Sequence, residues 1–285
     1  AYWLGGMTMF DAVGHAFSTV AIGGFSTHDA SLAYFDNPII EGVAVIFMMI
    51  AGINFALHFT AWRRASTQPY FMDPELRVYA VLLLGLAVLA SFALYFNGTY
   101  DSLAESVRYA GFQVVSAMTT TGFTSTDFHL WGGFVPILMM CVAFIGGCAG
   151  STAGGMKVIR VILLYRQSAR EIRRLIHPHA VVHVKIGGQK TSDRIVDAVW
   201  GFFFLFIATF TLVTVLLNAT GIDSVTAFSA AAASITNLGP GLSEVGANYA
   251  GLNNSAKLIL SFAMLAGRLE IYTLLVLLTP AFWRD

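Results

Sequence analysis

Charged residues are scarce in this chain: Asp, Glu, Lys and Arg make up 11% of its 285 residues, while 56% are hydrophobic. An average soluble domain has about 25% charged and roughly 45–50% apolar residues, so a water-soluble fold is excluded. An excess of either charge is also missing, with 16 Lys+Arg against 16 Asp+Glu, and the overall balance gives no indication of nucleic-acid binding. Cysteine is nearly absent. Cys141 and Cys148 are seven positions apart in an apolar run that reads as one helix. That spacing separates their Cα atoms by roughly 10 Å at about 1.5 Å per residue, too far for a disulfide, and zinc would lack ligands. The chain begins at Ala1 without Met and without a basic segment leading into a short apolar core. No signal peptide is read, and a piece of a longer protein is expected.

What the sequence has in abundance is apolar length. Five charge-poor windows are expected to be full membrane spans: Gly42 to Trp62, Val78 to Tyr100, Phe128 to Met156, Ala198 to Ile222, and Leu258 to Trp283, the last containing Arg268 and Glu270. Each has about the 20 residues that a helix needs to cross a bilayer. Three further windows, Ala12 to His28, Tyr109 to Thr126 and Ser224 to Ser243, are rich in Ser, Thr, Gly and Ala. They are too polar for lipid-facing helices and are expected to enter and leave the membrane on one side. Tracing the chain on that basis puts 13 of the 16 Lys+Arg on one face, with Arg108 and Lys257 on the other and Arg268 within a span. Positive charge marks the cytoplasmic side, so the re-entrant windows dip in from outside.

The order span, re-entrant window, span occurs over 74–166 and again over 195–285, and residues 1–64 hold a copy without its leading span. Aligned on one glycine, the windows place Val20, Ala21, Ile22, Gly23 and Gly24 beside Met118, Thr119, Thr120, Thr121 and Gly122, and beside Ile235, Thr236, Asn237, Leu238 and Gly239. The aligned glycines lie 98 and 117 residues apart, and the longer interval carries a basic segment, 167–194, that reads as a cytosolic loop. A half-helix aims its partially negative C-terminal end at a cation. A Thr/Gly-rich segment after it can turn carbonyls inward to replace the ion's hydration shell. Irregular backbone at this depth is tolerated only where it is buried in protein or lines water. The competing explanation for one such window is small-residue helix packing; three copies in register favour ion selection.

Two other features stand out. Residues 146–155 hold five glycines, Gly146, Gly147, Gly150, Gly154 and Gly155, around Ser151 and Thr152. Each glycine costs a helix interior roughly 1 kcal/mol relative to Ala. The cluster reads either as a close-packing Gly-xxx-Gly stripe or as a movable loop beneath the ion sites, where the cytoplasmic half of a post-filter span would put it. The other two post-filter spans lack such a cluster and are read as continuous. Arg268, near mid-bilayer, costs at least ~2.5 kcal/mol there. Glu270 cannot rescue it on a helix, because i,i+2 side chains point to different faces. Its partner is therefore a carboxylate on another helix, carbonyls of the glycine loop, or cavity water. It reads as half of a buried ion pair or as a fixed charge limiting cation flux.

Other motifs carry less. His15, His28, His58 and His129 lack metal-site spacing. Gly150-Ser151-Thr152-Ala153-Gly154 is not a nucleophile elbow, which leaves an intramembrane hydrolase as a minor alternative. A secondary cation transporter, coupled to Na⁺ or H⁺, is the stronger rival, but many carriers use inverted repeats and these units share one topology. Arg166, Arg170, Arg173 and Arg174 are expected to form a solvated helix end.

The three glycine-centred segments, the stretch Gly146 to Lys157, and Gly267-Arg268-Leu269-Glu270 leading to Phe282-Trp283 together resemble the Trk/Ktr/HKT superfamily of potassium transport proteins, in particular its TrkH-like membrane subunits. The resemblance covers essentially the whole chain and implies an all-α integral membrane fold. Helix, re-entrant pore loop and helix would form pseudo-fourfold units around one pore, of which this chain supplies the last three. It further implies K⁺ bound by filter carbonyls, an intramembrane loop gate at 146–155 acting with Arg268, and a homodimer in the bacterial inner membrane. A cytosolic ring of nucleotide-binding regulatory subunits would control it. No enzymatic activity is expected.

Overall fold

A computed structural model describes residues 1–284; Asp285, the end of the expected fourth unit, lies outside the described residues. Three short helices organise the molecule: α1 (Met9–Val20), α6 (Leu103–Met118) and α10 (Ser224–Thr236), of 12, 16 and 13 residues. At 1.5 Å per residue none exceeds about 24 Å, less than a bilayer's apolar thickness. Each starts on a polar cap: Thr8 accepts from the Asp11 amide, Ser102 from Glu105, and Asp223 from Val225 and Thr226. The last turns of α6 and α10 are buried all round, which is why their composition is small and mixed rather than one-sided.

Only two of the five expected spans are single helices. These are α5 (Pro74–Phe96), launched by the Asp73 cap with Pro74 at its first position, and α9 (Asp193–Ala219). Val81, Leu84 and Phe96 on α5 and Phe204 and Val215 on α9 are exposed, an apolar surface suited to lipid and not to water.

All three spans expected after a re-entrant window are broken. The Gly42 to Trp62 window divides into α2 (Pro38–Ala51) and α3 (Phe55–Arg63), bent by 88°. Asn54 forces the restart there by capping the Ala56 amide at 2.9 Å. The Leu258 to Trp283 window divides into α11 (Asn254–Arg268) and α12 (Ile271–Leu278), bent by 107°, with Glu270 at φ 56° between them. The Phe128 to Met156 window is helical over the 11 residues of α7 (Val135–Ile145) and a short 3₁₀ turn, and the chain then leaves the helix at Gly146. Cys141 and Cys148 therefore do not share a helix; both are free thiols, Cys148 buried in the glycine segment.

On the basic side, α4 (Gln68–Met72) joins α3 to α5. The expected loop at 167–194 is in fact the second half of α8 (Val158–Ile176) followed by a hairpin of β1 (Lys185–Ile186) and β2 (Gln189–Lys190). Gly187 and Gly188 have φ of 55° and 84°, as a two-residue hairpin turn requires. Leu163, Val184, Val196 and Val199 pack α8, the hairpin and α9 together. Arg170 departs from the solvated helix end expected for it: it is buried and donates to Asp193 at 2.7 Å, clasping α8 to the start of α9.

Candidate functional site

The three short helices end alike. Just past the ends of α1, α6 and α10 one residue adopts a left-handed conformation: Ile22 (φ 52°), Thr120 (φ 57°) and Asn237 (φ 59°). The next amide reaches back five residues in every case, Gly23 to Ser18, Thr121 to Ser116 and Leu238 to Ala233, each at 2.8 Å. This closure usually takes glycine at the left-handed position. Here it takes two β-branched residues, for which positive φ is strained. The aligned glycines follow, also at positive φ: Gly24 (67°), Gly122 (82°) and Gly239 (104°).

Backbones then approach one another closely. A Cβ on Gly24 would overlap the carbonyl oxygen of Thr121, and one on Gly122 would overlap that of Leu238. Gly24 and Gly122 are thus the points where one segment touches the next, whereas a Cβ on Gly239 would meet nothing within 4 Å. Among the described residues, no hydrogen bond is made to the carbonyls of Ile22, Gly23, Thr120, Thr121, Asn237 or Leu238, whereas the Gly239 carbonyl accepts from the Tyr249 hydroxyl at 2.6 Å. The Thr119 and Thr121 hydroxyls bond each other at 2.7 Å.

Residues 146–157 form a loop directly under these ends, so a helical Gly-xxx-Gly stripe is not present. Gly146 (φ 74°) and Gly155 (φ 70°) pinch its base: a Cβ on Gly155 would come within 2.9 Å of the Gly146 Cα. The loop bonds to all three segments. Thr152 Oγ1 donates to the Val20 carbonyl at 3.2 Å, the Gly154 amide to Thr120 Oγ1 at 2.6 Å, and the Gly155 amide to the Thr236 carbonyl at 3.2 Å. It also meets the α2–α3 elbow, where the Cys148 amide donates to Gly52 at 2.9 Å and the Phe55 amide to Gly150 at 3.0 Å. Gly147 stands against Ala153 across the loop, and Ser151 Oγ closes the local turn on the Cys148 carbonyl at 2.6 Å.

Arg268 ends α11 and donates from Nη1 to the Thr152 carbonyl at 3.1 Å. Of its expected partners it meets a loop carbonyl, and no carboxylate pairs with it among the described residues. Glu270 pairs instead with Arg160, both carboxylate oxygens accepting at 2.8 Å. Gly267 lets α11 approach the end of α10, since a Cβ there would overlap the Ile235 carbonyl. Arg268 lines the same cavity, about 1340 Å³, as Gly24, Gly122 and Gly239.

Three loop contacts were not visible in the sequence. Gly52 sits in an apolar run with no break signal before Asn54. Lys157, counted among the cytoplasmic charges, turns its ammonium back onto the Ser151 and Ala153 carbonyls. Glu75 accepts from the Ala149 and Ile159 amides; in the sequence, Asp73-Pro74-Glu75 reads only as a helix start. Among the described residues no cluster of His, Cys, Asp or Glu could hold a metal ion.

Continuous spans, re-entrant helices and helices broken after them define an all-α integral membrane protein built from pore-loop units. A family model described as "TrkH: Cation transport protein" matches residues 2–284. The chain belongs to the TrkH family of cation transport proteins. It is similar to the Trk system potassium uptake protein TrkH of Salmonella typhimurium, 50% identical over 285 residues, covering 100% of this chain and 59% of that protein. It is 38% identical over 284 residues to the Trk system potassium uptake protein TrkG of Escherichia coli K12, covering 58% of it. The crystal structure of the potassium transporter TrkH from Vibrio parahaemolyticus matches with a TM-score of 0.95 at 50% identity, covering 99% of this chain and 61% of that one. The chain thus spans about three fifths of the relatives it matches, and these are transporters, not enzymes.

Proposed function

We propose that this chain forms three quarters of a potassium-conducting pore in the bacterial inner membrane. Val20–Gly24, Met118–Gly122 and Ile235–Gly239 are its filter segments. Loop 146–155, held by Arg268, is its gate. The observation that carries this reading is the set of unpartnered carbonyls at three equivalent helix ends, two of them strained. Buried backbone carbonyls ordinarily have partners, and at membrane depth a group without one calls for water or a cation. The half-helices add negative potential at the same place. The loop's bonds to all three segments support reading it as lying across the exit from such a filter. The relatives' names supply potassium as the cargo, and the family resemblance supplies a homodimer and a cytosolic nucleotide-binding regulatory ring.

The test is ion flux by the full-length protein in liposomes with potassium, rubidium and sodium, comparing native protein with Gly122→Ser. Preference for potassium and rubidium that weakens in the variant supports the reading. Unchanged selectivity in a well-folded variant removes these carbonyls from the ion path.

A further inference from the structure

Glu75 lies in the first turn of α5, outside the segments and the loop, and is 7% exposed. Its Oε1 accepts two backbone hydrogen bonds, from the Ala149 amide at 2.7 Å and from the Ile159 amide at 3.0 Å. Ala149 belongs to the outgoing arm of the glycine loop, and Ile159 stands just past the returning arm. One carboxylate oxygen therefore holds the outgoing arm and the start of α8, into which the loop returns, at once, from a helix that contributes nothing to the filter segments. Burying a carboxylate without partners is costly, and bonds to a charged acceptor are roughly twice as strong as neutral ones. The first turn of a helix also favours negative charge.

Ala149 is the second residue of a turn closed by the Ser151 amide on the Cys148 carbonyl at 3.2 Å, with Gly150 at φ 70° in third place. Proline suits the second position of such a turn. It would delete the amide hydrogen that Glu75 accepts while keeping the turn.

We propose that Glu75 is a positioning residue that latches the glycine loop to α5 and so sets how often the loop leaves the ion path. The proposal rests on the reading of that loop as the gate. The latch is a hydrogen-bond acceptor at one point in space: Glu75→Gln, whose amide oxygen can occupy the same place as a weaker, neutral acceptor, loosens the loop in part, and Glu75→Ala releases it.

The experiment combines rubidium uptake into liposomes by the full-length protein with labelling of Cys148 by a water-soluble methanethiosulfonate, in a Cys141→Ser background that also replaces with Ser every other cysteine of the full-length protein except Cys148. A variant lacking residues 147–154 serves as the open reference for uptake. Loss of a charge-assisted hydrogen bond predicts roughly tenfold faster uptake and Cys148 labelling in both Glu75→Ala and Ala149→Pro. The double variant should match Glu75→Ala, and Glu75→Gln should fall between native and Glu75→Ala. A merely structural role lowers thermal stability and moves neither readout. Native uptake and labelling in Ala149→Pro overturns the latch, even if Glu75→Ala does not fold. If the loop deletion raises uptake and the latch variants do not, the latch alone fails. If the deletion also leaves uptake unchanged, the gate reading falls and takes the latch with it.

Discussion

The guanidinium of Arg268 donates to the Thr152 carbonyl at 3.1 Å, while Glu270, two residues on, is held by Arg160. The two charges at the α11–α12 elbow are thus satisfied by different partners, one in the glycine loop and one on the helix that follows it. Arg160 is further fixed by stacking 4.0 Å over the Phe202 ring. The elbow grips the loop and α8 together, and its two charges do not form a pair with each other.

This bears on Arg268→Ala. Removing the guanidinium strands no carboxylate, so the loss of stability should stay within the roughly 1.5–3 kcal/mol that a hydrogen bond to a charged group contributes. A fixed positive charge about 7 Å from a passing cation, at an effective dielectric near 20, raises the cation's energy by roughly 2 kcal/mol. Its loss should raise rubidium uptake more than tenfold, at about 1.4 kcal/mol per decade. Uptake and thermal stability in detergent, measured together, check both halves. A large stability loss without faster uptake contradicts the barrier role.

Gly122→Ser should lower the potassium-to-sodium permeability ratio. The added Cβ meets the Leu238 carbonyl and is strained at a φ of 82°. The equivalent Gly24→Ser, facing the Thr121 carbonyl at a φ of 67°, should act in the same direction. Gly85→Ser, where nothing lies within 4 Å, should not. Reversal potentials or competitive uptake would measure the ratio.

Deleting residues 147–154 should raise ion uptake and leave the selectivity ratio alone, because the three helix ends keep their own closing hydrogen bonds at 2.8 Å without the loop. A deletion that abolishes assembly and flux would instead make the loop a structural plug.

Arg170→Ala should lower Tm. The Arg170 side chain is 7% exposed and bonds Asp193 and Glu171, and hydrogen bonds to charged groups contribute about 1.5–3 kcal/mol. Arg174→Ala, at a side chain 45% exposed, should change stability by less than ~0.5 kcal/mol. Thermal unfolding of the two variants side by side decides the matter, and equal shifts would count against the clasp.

How much of this was legible varies with the range of the forces involved. The three helix ends could be aligned from residues alone, since Gly24, Gly122 and Gly239 mark positions where the backbone needs positive φ and the preceding small residues permit full burial. The glycine cluster was legible as a weak point in its helix, because each glycine there is costly, but the choice between a packing stripe and a loop fell to the backbone partners that the fold brings to it. The breaks at Asn54 and Glu270 were not legible. Hydropathy averages over both windows, and neither contains a glycine or proline cluster. Their bends rest on the Phe55 amide bonding Gly150 and on Glu270 bonding Arg160, partners far away along the chain. Arg170 likewise reads as one of a run of surface arginines until Asp193 is brought beside it.

The sequence by itself determined that this is a membrane protein of repeated re-entrant units, because scarcity of charge, span length and small-residue composition are local properties that a bilayer acts on directly. Only the tertiary structure decided which backbone groups lack partners, which segment lies beneath them and which side chains hold it there. Those facts depend on distances between residues such as Thr120 and Gly154 or Arg268 and Thr152, and hydrogen bonds act over about 3 Å, a range that no pattern along a single chain encodes.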